Sequence, residues 1–260
     1  MTPAAPPDLA AFRLPSTEAL ADQAVTVDLE DGQLTLSFAV AGQVRWEATG
    51  VTWAGSGTSG YDAVEIDPDA YFVDLDLPDR PLHALTVVFS RRAGWALAVY
   101  QSRNPALVGG SPRVPAVEHA FSAGRVAGAG DAEPPRPTRD LVGRWHRYRY
   151  SPDNYYEHIY VSGERFVSHN LDTQNTRDRA DCHPVSYYRL AAGLYLVAWR
   201  EFDSQMAAIA VEHLGQAQVT AKALHPADRF HSVNVRIGGF IRPVVVRFPA
   251  DNAGGPPCPH

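Results

Sequence analysis

The chain has 260 residues, 45% of them apolar and 20% charged, which suits one large globular domain or two of roughly 100–130 residues, each able to bury a core. A net charge of −6, with no basic run longer than Arg91-Arg92, excludes the electrostatic footprint of a nucleic-acid binder. No apolar run approaches the ~20 residues of a membrane-spanning helix, the start Met1-Thr-Pro-Ala lacks a signal-peptide pattern, and Cys182 and Cys258 are too few for a disulfide framework, so a cytoplasmic protein with no nucleic-acid or membrane partner is expected.

Residues 1–19 are proline-rich and read as an arm, with Pro15-Ser-Thr-Glu placed to cap one short helix over 18–23. From Val25 to Phe38 apolar residues alternate with polar ones around an Asp31-Gly turn, the signature of a hairpin. Short strands are expected over 43–48, 61–66, 70–76, 83–90 and 95–101, and Gly55-Ser-Gly-Thr-Ser-Gly reads as a flexible loop. Residues 104–140 are rich in proline and glycine and carry one candidate strand over 114–121. The pattern then restarts, with strands expected over 145–150, 155–161, 165–170, 185–190, 194–201, 206–213 and 217–223, followed by apolar runs over 233–237 and 240–248.

The two halves repeat each other. Leu20-Ala-Asp-Gln aligns with Leu141-Val-Gly-Arg, and at that offset Val27 and Leu29 fall on Tyr148 and Tyr150, while Leu34 and Leu36 fall on Tyr155 and Glu157. After a small indel, the run from Ala70 to Leu77 falls on that from Leu194 to Glu201. Two antiparallel meanders of this length predict an all-β chain of two tandem up-and-down barrels, each closing its own edges and each with room for side chains or one small ligand. The expected division is an arm over 1–19, a first barrel over 20–137 ending in a linker, a second over 138–250, and a tail over 251–260.

The repeat serves as an internal control. At four matched inward positions the first copy has Val27, Leu29, Leu36 and Leu77, and the second has Tyr148, Tyr150, Glu157 and Glu201, so a ligand site is expected in the second. Strand alternation puts Tyr148 with Tyr150 on one face and Tyr195, Trp199 and Glu201 on another. A carboxyl beside Trp199 in an apolar cup would have its pKa raised by desolvation, as suits a group that exchanges one proton near neutrality. His158, His169, Cys182 and His183 lack metal-ligand spacing, and Asp181-Cys-His-Pro reads as a polar loop, so no metal site is expected. Phosphate-cradling glycine motifs and a Gly-x-Ser-x-Gly elbow are absent.

Leu141-Val-Gly-Arg, Tyr148-Arg-Tyr, Tyr156-Glu-His-Ile-Tyr, Ser168-His-Asn-Leu, Cys182-His, Tyr188-x-Leu and the run from Leu194 to Glu201 resemble the C-terminal domain of the molybdenum cofactor biosynthesis protein F family, and Trp53 with Tyr61-Asp-Ala-Val-Glu resembles its N-terminal domain. The resemblance implies a lipocalin-like (calycin) barrel in each half, and Tyr156, Glu157, His158, Tyr188, Tyr195 and Trp199 as ligand-binding residues. A more distant resemblance to bacterial phenolic acid decarboxylases lies in Tyr148/Tyr150, Tyr156-Glu157 and Trp199/Glu201, with His169 where those enzymes carry an arginine. It implies Tyr148, Tyr150, Glu201 and His169 as catalytic residues of a cofactor-independent lyase, isomerase or cyclase acting on an aromatic or conjugated small molecule. The alternative is a non-catalytic binding protein for such a ligand, linked to molybdenum-cofactor or aromatic-amine metabolism. The sequence sets no oligomeric state.

Overall fold

A computed structural model describes residues 8–40, 42–107, 114–171, 179–202 and 204–245. The tail expected over 251–260, with Cys258, lies outside the described residues. Eight strands build the first barrel: β1 (Ala24–Leu29), β2 (Gly32–Phe38), β3 (Gln43–Thr49), β4 (Gly55–Asp67), β5 (Ala70–Asp76), β6 (His83–Ser90), β7 (Trp95–Arg103) and β8 (Val117–Val126). They pair in chain order, and β1 meets β8 with Val27 opposite Val126 to close the ring. After the short β9 (Arg136–Pro137) come β10 (Trp145–Arg149), β11 (Tyr155–Tyr160), β12 (Arg165–Asn170), β13 (Ala180–Ala191), β14 (Leu194–Arg200), β15 (Ala207–His213), β16 (Gln218–Pro226) and β17 (Ser232–Pro243). These eight close a second antiparallel barrel through β10–β17, and β9 lies along the outer half of β13.

The two tandem up-and-down barrels match the architecture the repeat implies, with Leu20 and Leu141 fully buried in their respective cores. Among the described residues there is no α-helix, only the 3-10 turn Pro105–Leu107, and no helix is long and apolar enough to cross a membrane. Local expectations change in four places. Residues 18–23 form turns rather than a helix. The Gly55–Gly60 run is the first half of β4: Gly55 and Gly57 let the Arg80 guanidinium and the Trp46 indole lie against the strand, since a Cβ at Gly57 would sit 3.1 Å from Trp46 Nε1 and one at Gly55 2.0 Å from Arg80 Nη2. Asp181-Cys-His-Pro starts β13 instead of forming a loop. The run expected over 233–237 and the start of that expected over 240–248 share one strand, β17, which ends at Pro243 and is continuous through Gly238 and Gly239, where a Cβ would meet Arg13 and the Arg149 carbonyl; residues 246–248 lie outside the described residues.

Strands β1 to β3 alternate buried and exposed residues, as a sheet with one wet face requires, whereas β5, β6, β7, β14 and β15 are buried almost throughout. Their outward faces meet each other. Val64, Phe72, Val88 and Leu97 of the first barrel pack with Leu194, Leu196, Ile209 and Val211 of the second in one apolar cluster. Nearby, Lys222 Nζ lies 2.9 Å from Asp74 Oδ1, both side chains buried, with Thr86 Oγ1 donating to the same carboxylate oxygen at 3.2 Å and Lys222 donating to Asn234 Oδ1 at 3.0 Å. Burial pushes the Asp74 pKa up and that of Lys222 down, and each charge opposes the other's shift, so the pair is bound to a dry inter-barrel contact.

The arm bridges the barrels. Leu9 O accepts from Gly238 N at 2.9 Å, Phe12 N donates to Tyr150 O at 3.3 Å, and Thr17 N donates to Ala63 O at 2.8 Å. Arg13 and Ser16 hold the buried Asp62 carboxylate, the latter at 2.5 Å. Glu65 accepts the Asp69 amide at 3.0 Å, so Asp62 and Glu65 both serve local structure.

Candidate functional site

Side chains entering the second barrel are fixed by one turn. In the first barrel Asp28 pairs with Gln33. At the Leu20/Leu141 offset Arg149 should pair with Asn154, but it pairs with Tyr155, so the β10–β11 turn holds one residue more than the β1–β2 turn. Because strand side chains alternate, that residue inverts every side chain of β11 relative to the simple alignment. Tyr156, His158 and Tyr160 therefore point inward, in the places of Leu34, Leu36 and Phe38, and Glu157 points outward.

The open end of this barrel holds a cavity of about 240 Å³. Its walls are Tyr150 at the end of β10, Tyr156 and His158 on β11, His183 on β13, and Trp199 with Glu201 at the end of β14; Leu9 of the arm covers one side. Aromatic rings surround His158: Tyr148 at 4.3 Å, Phe166 at 4.8 Å and Trp199 at 5.4 Å between centroids. Burial pushes the His158 pKa down to about 3, with His146 and His183 adding to the shift, so the imidazole is neutral at physiological pH. Its Nδ1 is buried and makes no hydrogen bond. Tyr156 Oη accepts from Asn170 Nδ2 at 3.2 Å, and His183 Nε2 lies 3.2 Å from Ser168 Oγ.

Glu201 occupies the rim rather than the apolar cup expected of it. It is half-buried, Trp199 Nε1 donates to Oε1 at 3.3 Å, and Ser204 Oγ donates to Oε2 at 2.6 Å. The carboxylate buried inside the barrel is Glu212, deeper on β15 and 1% exposed. Tyr148 and Tyr160 both donate their hydroxyls to its Oε1, the two phenol oxygens are 2.6 Å apart, and His146 Nδ1 is 3.1 Å from Oε2. Burial and the neighbouring carboxylate push both phenol pKa values well up, so the hydroxyls stay protonated donors. This network underlies the cavity, because Tyr148 stacks under Tyr150 with centroids 5.9 Å apart.

The structure thus brings together Tyr150, Tyr156, His158, Trp199 and Glu201. It separates the others. Tyr148 is spent on Glu212. Glu157 is outside, bridged by Arg147 at 2.9 Å through Nε and facing His169 Nδ1 at 3.6 Å, which places His169 on the outer surface as well. Tyr188 stacks on Phe121 of the first barrel at 4.9 Å, and Tyr195 sits at the closed end with its hydroxyl 3.3 Å from Asp140. Sequence reasoning missed His146, Tyr160, His183 and Glu212. For Glu212 the signal existed: an acid in phase with Ala208 and Ala210 at the end of an apolar run. Of the four residues with metal-ligating types, His158 and His183 face the cavity, His169 faces outward, and Cys182 is exposed.

Comparison with known proteins places the chain, rather than the site, in a family. Residues 7–103 match the model of the MoaF N-terminal domain, and residues 135–245 match that of the MoaF C-terminal domain. Protein MoaF of Klebsiella aerogenes is 32% identical over 162 residues, a match that takes in 58% of this chain and 60% of that protein, so the whole relative is not spanned. A crystal structure from Burkholderia vietnamiensis, provisionally assigned as a beta-lactamase, overlays 41% of this chain and all of its own at 15% identity with a TM-score of 0.35, too slight a likeness to bear on fold or chemistry. With both of its barrels matched in order by the two domain models, the chain belongs to the MoaF family.

Proposed function

We propose that the second barrel is a small-molecule site that moves a proton on a compact, flat, conjugated ligand, using its own side chains and no resident cofactor. His158 carries the reading. A neutral imidazole with an unpaired, buried ring nitrogen costs stability, and here it lines a cavity in the place where the first barrel has Leu36. Such a nitrogen offers a ligand a donor or an acceptor according to its tautomer. The faces of Tyr150, Tyr156 and Trp199 suit a planar ring, and a volume of about 240 Å³ suits a single-ring compound. Glu201 at the rim is the group placed to exchange a proton between ligand and water, with Tyr150 and Tyr156 orienting the ligand.

A second reading, binding without chemistry, is favoured by the two hydrogen bonds that already occupy the Glu201 oxygens. Glu201→Gln separates the two. Proton transfer requires turnover to fall by roughly 100-fold while a ligand that co-purifies in native mass spectrometry remains bound. The binding reading requires a parent without turnover and a variant of near-unchanged affinity. Full activity in Glu201→Gln would remove the proton-transfer role, and His158→Phe that binds as tightly as the parent would remove the site.

A further inference from the structure

The first barrel opens at the same end as the second. Its interior is filled by Val27, Leu29, Leu34 and Leu36, and Leu77 plugs the position that Glu201 holds in the other copy. Beyond that plug, on the side of β6 to β8, lies a cavity of about 530 Å³ between Trp53 after β3, Arg80 before β6, His83 on β6, Tyr100 on β7 and His119 on β8. Three rings form a stack in its wall: Trp53 and Tyr100 are 5.5 Å apart and 8° from parallel, and His83 lies 5.4 Å from Tyr100 at 25°.

The wall is rich in donors whose acceptors are missing. Trp53 is 5% exposed, and its Nε1–H, a group that can only donate, is buried without a partner; His83 Nδ1, which donates in one of its tautomers, is buried without one too. Arg80 donates through Nη1 to Trp53 O at 3.3 Å and Tyr100 Oη at 3.1 Å, and through Nη2 to Ala54 O at 3.1 Å, which leaves its Nε–H and one Nη2–H unspent. The same contacts fix the guanidinium over the Trp46 ring, 5.3 Å from its centroid. The one acid on the lining, Glu118, is exposed and within the field of Arg200 of the second barrel. Buried donors without acceptors beside a fixed cation cost stability as they stand, and an oxyanion would satisfy them together.

We propose that the mouth of the first barrel is a second small-molecule site, taking an anionic, acceptor-rich ligand, a carboxylate or a phosphate, between Arg80, His83 and the Trp53 indole N–H. The ring stack gives a carboxylate-bearing ring a face to lie on, so the site discriminates by charge first and shape second.

The five indole N–H resonances of the ¹⁵N-labelled full-length chain test this directly, with Trp53→Phe assigning its own signal. Sodium benzoate and sodium phosphate are titrated separately against sodium chloride at matched ionic strength. The site requires a saturable shift of the Trp53 indole with one of them: benzoate identifies a carboxylate site, phosphate a phosphate site. Arg80→Lys, which keeps the charge but loses the fork, should weaken that binding about tenfold. Trp53→Phe, followed through the Ala54 and Gly55 amides, should weaken it several-fold. Four results overturn the proposal: no saturable shift with either probe into the tens of millimolar, an equal shift with chloride, a shift confined to Trp199, or unchanged affinity in a folded Arg80→Lys.

Discussion

The two barrels are one architecture with two interiors. Equivalent positions, read from strand pairing, set Val25, Val27, Phe38 and Phe89 of the first against His146, Tyr148, Tyr160 and Glu212 of the second. Four apolar side chains in one copy are a closed hydrogen-bonded cluster in the other, at the same depth and with the same strand order. Both barrels therefore fold on the same alternation of apolar and polar residues, and the cluster adds nothing the fold needs. What it adds is a rigid floor: Tyr148 cannot rotate without giving up its hydrogen bond to the buried Glu212, so Tyr150 and His158, which pack on it, are held in place.

The largest expected effect comes from breaking that floor. Glu212→Ala leaves two phenols and an imidazole buried without their acceptor, and should cost about 3–5 kcal/mol in urea denaturation. Replacing the whole cluster by apolar residues of similar volume, as His146→Leu, Tyr148→Phe, Tyr160→Phe and Glu212→Leu, should bring stability to within about 2 kcal/mol of the parent or above it, because the first barrel shows that an apolar interior closes this ring. A quadruple variant that unfolds as readily as Glu212→Ala would show the cluster to be structural.

Acid provides the next comparison. The His158 pKa is depressed to about 3 in the folded protein and is near 6.5 when unfolded. Below pH 6.5 the unfolded chain therefore binds a proton that the folded one refuses, and stability falls as pH drops through the window from 6.5 towards 3. The expected slope from this group is about 1.4 kcal/mol per pH unit, visible as the difference between the parent and His158→Phe. Parallel curves for the two would place His158 in contact with solvent.

The smallest effect separates the two faces of β11. Glu157 pairs with Arg147 on the outer face of β11, its own carboxylate covered and the arginine half exposed, so Glu157→Ala should cost about 1–2 kcal/mol, less than Glu212→Ala, and leave ligand affinity unaltered. His158→Phe, one residue on, should abolish binding in the same calorimetric titration. Lost binding in Glu157→Ala would return β11 to the register of the simple alignment.

Much of this was present in the one-dimensional pattern. Alternation over Val25–Phe38 and the repeat anchored at Leu20 and Leu141 determine two antiparallel meanders, since a half-buried strand needs a period of two and each copy needs closed edges. The unbroken apolar runs Ala96-Leu-Ala-Val and Ala207-Ala-Ile-Ala-Val carry the pattern of strands buried on both faces, a signal the sequence reading did not use and the inter-barrel contact explains. Of the aromatic half of the cavity, Tyr150 and Trp199 were legible because phase along a single strand survives without knowledge of its neighbours, whereas Tyr156 was reached through the family resemblance. Which face of β11 looked inward was not, because one extra residue between Tyr150 and Asn154 exchanges Glu157 for His158 while barely disturbing the alignment.

Partnership across strands was beyond the sequence altogether. Glu212 meets Tyr148 over a separation of 64 residues and Tyr160 over 52. Sequence spacing carries no information about such pairs, since register and barrel closure set them. The sequence by itself determined the strands, the duplication and the stock of polar groups in the second copy. Only the closed barrel decided which of those groups face a cavity, which tie one another down, and which are left on the outside, because side-chain direction follows a local period of two whereas proximity follows the closure of the whole ring.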